Sequence, residues 1–155
     1  MEIWETFEQL ELFASDPKSV VENILSTPGC PPFPPSQWLH LVQWKYVDLA
    51  KVLEAAHTTE IDPKQTHVID DKVELSFRVS QVSKVVCNAA DHNTAFTMYT
   101  KALGFVFPQW REEFTDYQMS LGRLFHAVDP AFHGRIIDYD HAVRNQISVQ
   151  RHLWG

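Results

Sequence analysis

Glycine is scarce in this chain, five in 155 residues, and none of the five stands in a GxGxxG, GxSxG or GxxxxGK pattern. A phosphate-cradling loop and a nucleophile elbow both need glycine at such spacings, because the backbone must turn sharply or approach the ligand closely. Cysteine is scarcer still. Cys30 and Cys87 lie 57 positions apart, which supports neither a disulfide framework nor a CxxC metal or redox motif, and the expected setting is reducing and intracellular. No apolar run approaches the roughly 20 residues that a bilayer span needs, and no basic segment followed by an apolar one opens the sequence. Basic charge is also short: 13 Lys and Arg stand against 20 Asp and Glu, a net of −7. Direct nucleic-acid binding is therefore not expected, since non-specific affinity rests on clustered cations that neutralise phosphates.

Eight histidines are present, but they form no HxH, HxxxH or HExxH pair; His126, His133 and His141 are spaced seven and eight apart. No metal site and no cofactor is expected from that spacing.

What the chain does have is apolar and aromatic bulk, 45% hydrophobic residues with ten Phe and five Trp, enough for one globular domain or a domain with a short arm. The acidity is concentrated at the start. Residues 1–27 carry six acids against Lys18 alone, and the remainder is nearly neutral. Within this arm Trp4, Phe7, Leu10 and Phe13 recur at three-residue steps, with Glu2, Glu5, Glu8 and Glu11 between them, which predicts an amphipathic helix docking on a groove of its own body or of a neighbour. Asp16 before Pro17 reads as a cap followed by N1, opening a second short helix through Val20, Val21, Ile24 and Leu25. Residues 28–35 hold five prolines in PGCPPFPP and predict an extended linker between arm and body.

The chain is expected to be mainly α-helical, a compact bundle of five to seven helices with an N-terminal helical arm, and the body, residues 36–155, is expected to carry one small β-hairpin near 66–79. Ser36 is the expected cap of a helical stretch running from Trp38 to about His57, with a break near Asp48. Val73, Leu75, Phe77 and Val79 alternate with polar residues, the strand period, and Asp70-Asp71 offers the turn. A short helix is expected around Val82 to Asn88. Asp91 or Asn93 should then cap a helix carrying Phe96, Tyr99 and Leu103. Pro108 and Asp129-Pro130 mark two more starts, and Ile136, Ile137, Tyr139, Val143 and Ile147 lie on the last helix. Ending on Arg151 to Gly155 without a polar tail, the sequence reads as part of something longer.

Two site readings compete in the C-terminal half. Asp138 and Asp140 near Arg135 and Arg144 resemble an acid–base cluster, but Asp140 and Arg144 sit at i,i+4, where an exposed ion pair is the simpler expectation, with Tyr139 packed toward the core. Arg111, Arg123, Arg135, Arg144 and Arg151 offer a nucleic-acid face, the alternative function, although no RNA- or DNA-binding motif accompanies them.

Several short motifs resemble one family. Phe96 to Tyr99, Pro108 with Trp110 to Tyr117, and a Tyr-Asp-x-x-x-Arg signature at Tyr139, Asp140 and Arg144 closing on Trp154 are similar to the gag-like proteins of tyrosine-recombinase retroelements and related transposon-derived fungal proteins. Phe33 to Ser36 with Trp38, Lys45 to Leu49, and His67 to Asp70 match further segments, so the resemblance covers about residues 33–154. It implies a non-enzymatic module for protein–protein interaction or self-assembly, whose partner is itself or another protein, with no catalytic residue and no membrane. On that reading Trp4, Phe7, Leu10 and Phe13 contact the partner, and Tyr139, Asp140 and Arg144 are a structural signature.

Overall fold

The computed structural model describes residues 2–59 and 86–150. Those residues form seven α-helices and no strand: α1 (Glu2–Ala14), α2 (Pro17–Ser26), α3 (Pro35–Val42), α4 (Leu49–Thr59), α5 (Ala89–Val106), α6 (Arg111–Ala127) and α7 (His133–Gln150). Single 3-10 turns at Pro108–Trp110 and Pro130–Phe132 lead into α6 and α7. The hairpin expected near 66–79 lies outside the described residues, as do the first four residues of the helix expected around Val82; Asn88 caps α5 instead of ending that helix.

Local chemistry sets most of the helix starts. The Asp16 carboxylate accepts from the Ser19 N–H with Pro17 in the first turn, and Asp129 accepts from Ala131 ahead of the second 3-10 turn. The expected Asp91 or Asn93 cap is displaced to Asn88, whose side chain accepts from the Asp91 N–H at 2.8 Å. Ser36 is likewise not a cap, because α3 begins at Pro35 behind an extended Pro34. Proline there suits a first turn, whose N–H has no helical partner to lose.

The stretch from Trp38 to His57 is two helices. Trp44 takes φ of 59°, the left-handed region. Its N–H donates to Leu41 and that of Lys45 donates to His40, the paired bonds that close a helix through a left-handed residue. Glycine normally fills that position, and a side chain there costs roughly 1–2 kcal/mol. Trp44 keeps it because its ring is buried edge-on against Phe107, centroids 5.2 Å apart. Asp48 then opens α4 by accepting from the Ala50 N–H.

Helix α5 is central, with α4 on one side and α6 on the other. Ala95 and Ala102 are fully buried on it, and small residues at a helix contact let backbones approach closely. One core runs from Leu10 and Val21 through Trp38, Val52, Phe96, Leu103 and Phe107 to Ile136 and Ile137.

The arm joins that core. Leu10 is buried, Phe13 packs on Phe107, and Phe7 is half-buried, whereas Trp4 is 66% exposed. The expected stripe cannot all face inward, because three-residue steps turn by about 300° and so drift 60° per step, placing Trp4 and Phe13 half a turn apart. The inward face is Thr6, Gln9, Leu10 and Phe13. The Thr6 hydroxyl donates to the Glu2 carbonyl and accepts from the Gln109 amide and the Trp110 indole N–H, while the Gln9 amide donates to the Val106 carbonyl at 2.9 Å. Every hydrogen-bonding site of that buried hydroxyl is filled.

Candidate functional site

The sequence signature Tyr139, Asp140, Arg144 is real as a spatial unit but inverted in its parts. Tyr139 is 53% exposed, while Asp140 is fully buried and Arg144 is 4% exposed. The expected surface ion pair is an interior one, and the expected core tyrosine points out. The reason lies in the helical period: Ile136, Ile137, Asp140, Arg144 and Ile147 are spaced by one, three, four and three, so all fall on one face, and Tyr139 is about 100° away from Asp140. The apolar neighbours of Asp140 and Arg144 at those spacings were the signal that the pair would be buried.

Four elements converge on the pair. Arg144 Nε donates to Asp140 Oδ2 at 3.0 Å, and His92 Nε2 of α5 lies 2.9 Å from the same oxygen. The Tyr117 hydroxyl of α6 donates to Asp140 Oδ1 at 2.9 Å. The Arg144 guanidinium reaches across to the α3–α4 segment, donating to the Val47 carbonyl at 2.6 Å and to the Tyr46 hydroxyl at 3.2 Å. It also lies over the Tyr46 ring, 4.7 Å from its centroid. A buried ion pair holds only where such extra hydrogen bonds replace lost water, and here each carboxylate oxygen has one or more.

Electrostatics follow from that geometry. Burial alone would raise the Asp140 carboxyl, but the His92 hydrogen bond and the Arg144 charge outweigh it and hold the group below the usual 3.8. Arg144 is pushed down by burial and more than restored by the Asp140 charge. Burial raises the Tyr99 hydroxyl to about 12. Tyr117 is raised by burial and further by the Asp140 charge it donates to. The cluster is thus a carboxylate and a guanidinium locked by neutral phenols, which fixes α7 against α5, α6 and the α3–α4 segment. The sequence marks none of His92, Tyr117, Tyr46 and Val47 as a partner of the pair; they come from 48, 23, 94 and 93 positions before Asp140, and no local pattern links them to it.

The remaining predicted residues stay apart from this cluster. Arg111 donates to the Gly104 carbonyl at 2.9 Å and Arg135 lies over the Phe132 ring. Asp138 is exposed. Among the described residues no three His, Cys, Asp or Glu side chains converge to hold a metal ion, and no helix is long and apolar enough to cross a membrane. Compared with family models, with curated proteins and with solved structures, the chain matches none.

Proposed function

We propose that the chain is a non-enzymatic self-assembly module, the role that its resemblance to gag-like retroelement proteins implies. The observation that supports this reading is the outer face of α7 together with the end of the 3-10 turn that leads into it. Phe132, Arg135, Tyr139, Ala142, Gln146 and Val149 are all exposed and recur at alternating steps of three and four, the spacing of a helix–helix seam. Phe132, Tyr139 and Val149 are large apolar side chains on that line. Between His133 and Gln150 two acids balance two arginines, so two copies of this helix do not repel one another. The alternative, a nucleic-acid face on the arginine-rich half, draws little from the fold, because Arg144 is buried, Arg111 is tied to Gly104 and Arg135 covers Phe132.

Light scattering of the full chain across a concentration series tests the reading. A discrete oligomer is expected, dissociating to monomer when Tyr139 and Val149 are both changed to Glu while the circular dichroism stays that of the parent. A chain that is strictly monomeric at high concentration ends the proposal.

A further inference from the structure

The outward side of α1 is used by neither the core nor the α7 seam. Ile3 is 46% exposed and Trp4 66%, and Phe7 is half-buried beside them. The Trp4 and Phe7 rings meet edge to face with centroids 6.3 Å apart. Glu8 and Glu11 follow, each at i+4 from one of those rings, so the face is apolar in its first half and acidic in its second. Both carboxylates are exposed, and neither has a hydrogen bond or ion pair among the described residues.

The chain supplies little positive charge to offset them. Lys18 is the only base in residues 1–27, against six acids. The inward side of α1 is bonded to Val106, Gln109 and Trp110. The base that follows those contacts, Arg111, donates to the Gly104 carbonyl, and exposed Glu112 and Glu113 come after it.

The pattern of this face narrows what it fits. Ile3, Phe7 and Glu11 form one i,i+4 row and Trp4 and Glu8 the next, ridges between which a second helix packs. An indole presents the most attractive aromatic face for a cation. Of the two basic side chains, arginine alone lies flat on such a ring while its edge bonds a carboxylate in bidentate fashion. Residues at i,i+4 on a helix stand about 5–6 Å apart at Cβ, within reach of one guanidinium. A second copy of α1 would bring the same glutamates and be repelled, as would an anionic surface.

We propose that this face of α1 docks an arginine-bearing amphipathic helix of another protein. Apolar anchors of that helix cover Ile3, Trp4 and Phe7, one arginine stacks on Trp4 and pairs with Glu8, and a second cation meets Glu11. The site is separate from the α7 seam, and a chain that proved strictly monomeric would still show it.

The test uses the full chain and a synthetic Leu–Ala–Arg amphipathic peptide of about 16 residues, long enough to hold a helix. Titration followed by NMR is expected to shift the Trp4 indole N–H and the α1 amides. The same peptide with Lys for every Arg should bind about fivefold more weakly, the scale of the lost stacking and bidentate contact. Trp4→Ala, whose side chain the fold does not need, should lose about tenfold or more. Glu8→Gln with Glu11→Gln should weaken binding and flatten its salt dependence. Asp116→Asn with Asp138→Asn removes equal charge from exposed positions on α6 and α7 and should leave binding unchanged. Equal affinity of the Lys peptide, full affinity in Trp4→Ala, or an equal loss in the Asp116 and Asp138 variant would each overturn the proposal. So would burial of Trp4 in phosphatidylcholine vesicles, or a change of oligomeric state in Trp4→Ala, since the occupant would then be a membrane or a second copy.

Discussion

Two helices are tied to the same core by polar contacts of opposite kinds. At α1 the tie is neutral, one threonine hydroxyl and two glutamine amides around Leu10 and Phe13. At α7 it is ionic, a carboxylate and a guanidinium in the interior with a histidine and tyrosines closing the shell. The contrast concerns what is left behind when a contact is cut. A neutral donor without its acceptor costs about 1–3 kcal/mol. A buried charge without its counter-charge costs about 3–5 kcal/mol, whatever the intact pair contributes. The α7 tie is therefore the brittle one, and the α1 tie gives way by degrees.

The largest effect should come from Asp140→Ala, which strands Arg144 in the core. A loss of about 3–5 kcal/mol is expected in denaturant unfolding; a loss under 1 kcal/mol would show that the cluster admits enough water to tolerate a lone charge.

Acid should weaken the same tie. Because the folded carboxyl of Asp140 sits below 3.8, its contribution is present above the unfolded value and is lost as pH falls through the folded one. On the alkaline side Tyr99, raised to about 12, and Tyr117 contribute stability that is present below 10 and lost as pH rises through their folded values. Unfolding free energy plotted against pH should fall at both ends, and the Asp140→Ala variant should show a shallower acid limb.

Thr6→Val comes next, removing the acceptor of Trp110 and Gln109 at constant shape. It should cost about 1–3 kcal/mol, with faster amide exchange in α1 than in α5. Uniform acceleration across both helices would mean that α1 opens only with the whole domain.

Smallest are Trp4→Ala and Tyr139→Ala. Both side chains are more than half exposed, and at concentrations low enough to keep the chain monomeric each change should move the unfolding free energy by no more than about 0.5 kcal/mol. A large loss at Tyr139 would restore the expectation that it packs inward.

Much of the local architecture was legible in the sequence. Asp16-Pro17 and Asp129-Pro130 open helices as read, and the apolar periods of α5 and α6 carry the buried Phe96, Leu103, Phe114 and Leu121. The aspartate and arginine of the signature were also legible as partners. Which of its residues face inward does not follow from the hydrophobicity of Tyr139 but from its angle to Ile136, Ile137 and Ile147 on the helix.

By itself, then, the sequence determined most of the helices, the Asp16 and Asp129 caps and the i,i+4 relation of Asp140 to Arg144, since these depend on backbone hydrogen bonding and on residues within one or two turns. The tertiary structure alone decided the rest. It brings His92, Tyr117 and Tyr46 to the ion pair, trades a left-handed backbone at Trp44 for a buried ring, and assigns Thr6, which looks like a surface residue, to the core. Each of these is stable only because groups far apart in the chain exclude water together, and burial of that kind has no signature within a single turn of helix.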